Sequence, residues 1–187
     1  MLDAQKLTRI LVSAAFVVAS ATASAVDEVS PAPSEPSAWQ HHQITLNYYG
    51  LTTRYTCDGL EDKVRALLLY FGARADLNVH AIGCARGLDR PSRTAFVNAD
   101  FYSLAAADAG APQTVPGQWV GFSISPRRPN WMGDGECELM DQMKPLLTKS
   151  FSMRNMDYHT SCVPNQITIA DYDIKGEILK AAAQKPG

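Results

Sequence analysis

Four cysteines in two similarly spaced pairs constrain this chain more than any other feature. Cys57 and Cys84 stand 27 residues apart, and Cys137 and Cys162 stand 25 apart. Structural zinc sites want cysteines two to four residues apart, so these spacings point to disulfides and to no metal. Four cysteines allow three pairings. Each pair, however, encloses a helical pattern followed by a strand pattern. In a strand-helix-strand crossover the helix begins at the end of the sheet where the second strand finishes. That places Cys57 beside Cys84 and Cys137 beside Cys162, and these are the expected bridges.

The elements follow from period. Ile44 to Tyr49 alternates and is rich in β-branched and aromatic residues, the mark of a strand. Leu60, Val64, Leu67, Leu68 and Phe71 recur at helical spacing and Gly72 supplies the stop, so Asp58 to Phe71 reads as a helix. Leu77, Val79 and Ala81 alternate into a strand that runs to Cys84, a third strand covers Thr94 to Leu104, and Ala105 to Val115 reads as a connector. The order then repeats. Trp119 to Ile124 is a strand, and Asp134 and Glu136 open a helix carrying Leu139, Met143, Leu146 and Leu147, with Pro145 as an obstacle inside it. Strands follow near Met153 to Cys162 and Ile167 to Asp173, the latter open to continuation through Ile178. Cys57–Leu68 faces Cys137–Leu147 with one residue deleted, and Ala99-Asp100-Phe101 resembles Ala170-Asp171-Tyr172. The expectation is an α+β fold of two tandem strand-helix-strand-strand units, about 40–105 and 117–180. It has two helices, an antiparallel or mixed sheet, and two disulfides.

The N-terminus states a compartment. Lys6 and Arg9 form a basic start, Ile10 to Ala19 an apolar run broken only by Ser13, and Ala23-Ser24-Ala25 a small-x-small pattern. A membrane span needs about 20 apolar residues, so the pattern reads as a signal peptide over 1–25 rather than an anchor. No cysteine follows at the cleavage point to take a lipid. Residues 26–38, dense in proline and serine, read as a flexible tether, and a single domain occupies 39–187. An even cysteine count agrees with export to the periplasm or beyond the cell.

Function is less legible. The 187 residues are 46% hydrophobic and 19% charged, which excludes collagenous, coiled-coil and wholly disordered chains. A net charge of -2 makes no case for nucleic acid. No nucleophile elbow, zinc-protease helix, phosphate loop or calcium loop occurs, so no catalytic residue and no cofactor are assigned. Local charge is the better signal. Arg54, Arg86, Arg90 and Arg93 are expected to gather at the end where the first helix starts. Arg127, Arg128, Asn130 and Trp131 precede the second helix, stiffened by Pro126 and Pro129. Guanidinium groups beside an aromatic suit a carboxylate, phosphate or sugar, although Asp58, Asp89, Asp134 and Glu136 are near enough to neutralise several. The expectation is an exported, non-catalytic binding or scaffolding protein, its partner an envelope protein or an anionic glycan. The rival is a small hydrolase assembled from His80, His159, Asp58 and Asp134. A third reading is an inhibitor or assembly partner pairing through an edge strand.

Overall fold

The computed structural model describes residues 33–85, 90–108, 113–163 and 171–182. The expected leader, the first part of the tether, Arg86, Asp89 and Ile167 to Ala170 lie outside the described residues.

The elements in chain order are β1 (Glu35–Tyr49), α1 (Cys57–Tyr70), β2 (Asn78–Ile82), β3 (Thr94–Ala106), β4 (Val115–Ile124), α2 (Cys137–Ser150), β5 (Met153–Thr160) and β6 (Tyr172–Ala181). They form an α+β fold with one six-stranded sheet in the order β2-β3-β1-β4-β6-β5. Every neighbouring pair is antiparallel, which resolves the antiparallel-or-mixed alternative. Because β1 and β2 both run against β3, they share a direction, and α1 makes the crossover between them.

Alternation decides which side of each strand is buried. On β3, Ala95, Val97, Ala99 and Phe101 point inward while Thr94, Phe96 and Asn98 point out. The inward set packs with Leu60, Leu67 and Leu68 of α1 and Leu139, Met140 and Met143 of α2 into one core. Both helices therefore cover one face, and most of the other face is open to solvent, an arrangement that suits antiparallel sheets. A second, smaller buried set lies outside this core: Leu104 opposite Trp39, and Leu179 opposite Trp119.

Helix α1 begins where Thr56 caps it, its side chain accepting from the Gly59 N–H at 3.1 Å. It ends at Phe71, after which Gly72 adopts φ +92°, a conformation glycine takes at little cost. Helix α2 has no side-chain cap and runs through Pro145 without ending there. Its first turn is held from outside instead. Glu138 accepts from the Leu51 N–H at 2.9 Å and the Thr52 N–H at 3.0 Å, and Gln142 exchanges bonds with the Tyr49 backbone.

Several boundaries differ from expectation: β3 runs to Ala106, into the expected connector, and β6 runs to Ala181, past Ile178. β1 starts at Glu35, so the last residues of the expected tether are strand, and Ser37 is fully buried. β4 likewise starts at Val115 rather than Trp119. The reason is tertiary: Glu35–Ser37 pairs with Val115–Gly117, the short seam joining β1 to β4. Proline is tolerated on both sides because Pro36 and Pro116 lie opposite each other near the strand starts. Gly117 permits the close approach, since a β-carbon there would run into the Ser37 hydroxyl.

Both bridges are those expected. Cys57 and Cys84 have Cα atoms 5.3 Å apart, and Cys137 and Cys162 are 5.9 Å apart, inside the usual disulfide range. Each ties the first residue of a helix to the segment after the following strand.

Candidate binding face

The open face of β1, β2 and β3 carries a groove of about 300 Å³, lined by Gln43, Thr45, Asn78, His80, Asn98 and Asp100. Register brings these residues together. Gln43 lies opposite Asp100 and Thr45 opposite Asn98, while β2 sets Asn78 beside Asp100 and His80 beside Asn98. Cross-strand partners share a face, so the groove lies across three strands.

Its side chains are ordered by one another. The Gln43 amide donates to Asp100 at 2.9 Å and His41 Nε2 contacts the same carboxylate at 2.8 Å. Those two bonds, Gln43 first, hold the Asp100 carboxyl below the usual carboxylate range. The Thr45 hydroxyl donates to Asn98 Oδ1 at 2.9 Å, which leaves the Asn98 NH₂ as donor. His80 lines the groove and its Nδ1 lies 3.4 Å from Glu61, which also accepts from the Ala81 N–H at 2.7 Å.

The ends of the face are aromatic. Phe96 and Ile82, opposite each other, are 50% and 49% exposed. At the far end the Arg74 guanidinium lies 3.9 Å above the Tyr102 ring and is held by Asp76. Among the described residues, Asp100 is the only Asp, Glu, Lys or Arg at the outward positions of the paired segments 41–49, 78–82 and 94–102.

The open face of the other half is different. Register pairs Arg154 with Glu177, Asp157 with Lys175 and His159 with Asp173. Arg154 is 2.8 Å from Glu177, His159 is 3.0 Å from Asp157, and Lys175 pairs with Asp173. Those charges satisfy one another.

The arginines singled out in the sequence separate into groups. Arg54 and Arg93 are exposed and brought near each other, because Tyr55 and Ser92 exchange backbone bonds and the Gly50 N–H donates to the Arg93 carbonyl at 2.8 Å. Arg90 is exposed at the start of the same segment, and Arg86 lies outside the described residues. Arg127 is paired with Asp134 at 2.5 Å, and Arg128 is exposed. Trp131 is half-buried, edge-on to Tyr70, with its carbonyl accepting from Lys63. The hydrolase constellation is not brought together: His80 is on β2 and His159 on β5, the two opposite edges of the sheet. With strands about 4.8 Å apart, five steps separate them by roughly 24 Å.

Two other clusters draw the eye and are structural. Glu136 is buried, 2.8 Å from Lys63 and accepting from Tyr55 at 2.8 Å; burial and that carboxylate push the Tyr55 phenol well above its ordinary value. Cys137, Asp141 and Cys162 place ligand atoms within 4.8 Å of one another, but the two sulfurs are joined and offer no thiolates.

The groove was missed in sequence because it needs register. Its signal was available strand by strand, as Asn, Gln and Thr at outward positions where Lys and Glu are common. No family model, no curated protein and no solved structure matches this chain.

Proposed function

We infer that this chain is an exported, disulfide-stabilised, non-catalytic binding protein of the periplasm or extracellular space that works through the open face of β1–β3. The observation that carries the reading is the groove itself: ordered polar side chains, half-exposed apolar neighbours and almost no charge, on a sheet whose other face is already covered. Charge-poor surfaces rich in aromatic and amide side chains are typical of interfaces rather than of solvated surface. Two disulfides support an oxidising compartment, and no helix among the described residues is long and apolar enough to cross a membrane.

A tandem duplication fits the same molecule. Trp39 and Trp119, Cys57 and Cys137, Phe71 and Phe151, and Arg74 and Arg154 keep one constant offset, 137 − 57 = 80. Both helices have 14 residues and both arginines stack on the tryptophan of their own half.

A second reading, an anionic ligand at the loop end, is favoured by the proximity of Arg54 and Arg93. The two separate in one experiment. The exported protein, starting at Val26, is co-sedimented with insoluble envelope material as wild type, Asn98→Arg, and the double variant Arg54→Ala/Arg93→Ala. Loss with Asn98→Arg alone supports the face. Loss with the arginine variant alone supports the loop, and export is refuted if Met1 is retained in the recovered protein.

A further inference from the structure

We propose that the groove across β1–β3 takes an uncharged, hydroxyl-rich glycan. The inference rests on the reading of this face as the binding surface and adds the chemistry of what lies on it. It is carried by the pattern of donors and acceptors left over once the side chains have ordered one another.

Asp100 uses one lone pair of each oxygen on His41 and Gln43 and keeps others facing out. Gln43 donates through its nitrogen and keeps its carbonyl oxygen as acceptor. Asn98 accepts through its oxygen and keeps its NH₂ as donor. Thr45 donates its hydroxyl proton and keeps lone pairs, and Asn78 presents both an amide donor and an acceptor. His80, an exposed imidazole, has one ring nitrogen beside Glu61 and a second nitrogen to offer a ligand. Donors and acceptors are therefore interleaved within one groove. A hydroxyl group is donor and acceptor at once and matches such a surface at each position. A phosphate, sulfate or carboxylate offers acceptors alone and would meet the Asp100 carboxylate, while the nearby Arg74 guanidinium is already paired with Asp76.

The remaining features agree. The apolar surface of Phe96 and Ile82 beside the polar rows gives the C–H face of a sugar ring something to cover. The volume, about 300 Å³, is at the small end of ligand sites, roughly 300–1,000 Å³. The groove lies on an open sheet face, so a chain can extend beyond it in either direction. The β5–β6 half supplies the internal contrast: its own pocket, about 380 Å³, is lined by His159, Asp171 and Asp173, and the neighbouring charges pair with one another.

The probes are immobilised hexasaccharides of glucose and of N-acetylglucosamine, both uncharged, against oligogalacturonate and heparin, both anionic. The proteins are wild type, Asn98→Ala, His80→Ala and, as control on the other face, Lys175→Ala, each checked for an unchanged melting temperature. The expected result is binding of an uncharged hexasaccharide that is insensitive to salt, about tenfold weaker in Asn98→Ala and His80→Ala and unchanged in Lys175→Ala. Binding of the anionic probes alone, abolished by salt, would overturn the proposal. So would failure of both uncharged probes; if Asn98→Arg still lost envelope material in the co-sedimentation experiment, the face would stand and only the glycan would fall. Uncharged binding that all three variants retain would also overturn it, by moving the glycan off this face.

Discussion

The two halves of the sheet's open face handle water in different ways. Around β5 and β6 the outward positions are charged and pair with one another, as Arg154 does with Glu177 and Lys175 with Asp173. Around β1 to β3 they are amides, hydroxyls, imidazoles and aromatics with one carboxylate, Asp100, and several of the polar groups bond to a neighbour on the same face. A face that only needs to stay hydrated is served by charge. A face that leaves ordered, uncharged donors and acceptors beside exposed apolar rings holds a pattern that a ligand can match.

The halves also differ at their helix starts. Thr56 caps α1 locally. Its counterpart Glu136 leaves α2 uncapped and reaches instead to Tyr55 and Lys63 in the first half. One helix start is self-sufficient and the other depends on the partner half.

The largest expected effect tests how alike the halves are. Replacing Cys57 and Cys84 with serine, or Cys137 and Cys162, should each cost about 3.5 kcal/mol by loop-closure entropy, since the closed loops are of nearly equal length. Urea denaturation of the two double variants measures this. A gap of more than about 1.5 kcal/mol would mean that the two bridges do not have equivalent roles.

The helix starts come next. Glu136→Ala leaves the partly buried Lys63 ammonium its bond to the Trp131 carbonyl but removes its carboxylate partner and the acceptor of the Tyr55 hydroxyl, and should cost about 3 kcal/mol. Thr56→Ala removes a local cap and should cost about 1 kcal/mol. Equal losses in thermal denaturation would erase the distinction between a self-capped and a partner-held helix.

The smallest effect concerns the open faces at low pH. Asp100 is held down by Gln43 and His41, and Glu177 by Arg154 and Asn155. A carboxyl depressed on folding contributes stability above its unfolded value and loses it as pH falls through the folded one, so both contributions fade below about pH 4. Carbon-detected NMR titration should place both carboxyls below ordinary Asp and Glu values. Gln43→Ala should raise Asp100 and leave Glu177 in place, while Arg154→Ala should do the reverse. A shift at both carboxyls from either change would show that the faces are coupled rather than independent.

Much of the fold was readable because the local signals are strong. The helical spacing of Leu60, Val64 and Leu67 located α1 to within a residue, and the bracketing of each helix by cysteines anticipated both bridges. Strand starts were less readable. Glu35 to Ala38 carries proline and serine and has no strand propensity of its own; it becomes strand because Val115 to Gly117 and Ala105 to Ala106 pair with it. The conspicuous arginines were poor guides to a site, since a charge is visible in sequence whether or not an acid such as Asp134 stands beside it in space.

Period and spacing are properties of neighbouring residues, and they determined what this chain could decide locally: two amphipathic helices, alternating strands and cysteines that meet after a crossover. Strand order and register are settled only when the whole core is buried, because each strand's inward set must share one interior with both helices. Only that burial set Gln43 opposite Asp100, put Asn78 and His80 in the adjoining rung, and sent His80 and His159 to opposite edges. The groove is made of side chains up to 57 residues apart in sequence, brought together by backbone pairing that no local pattern encodes.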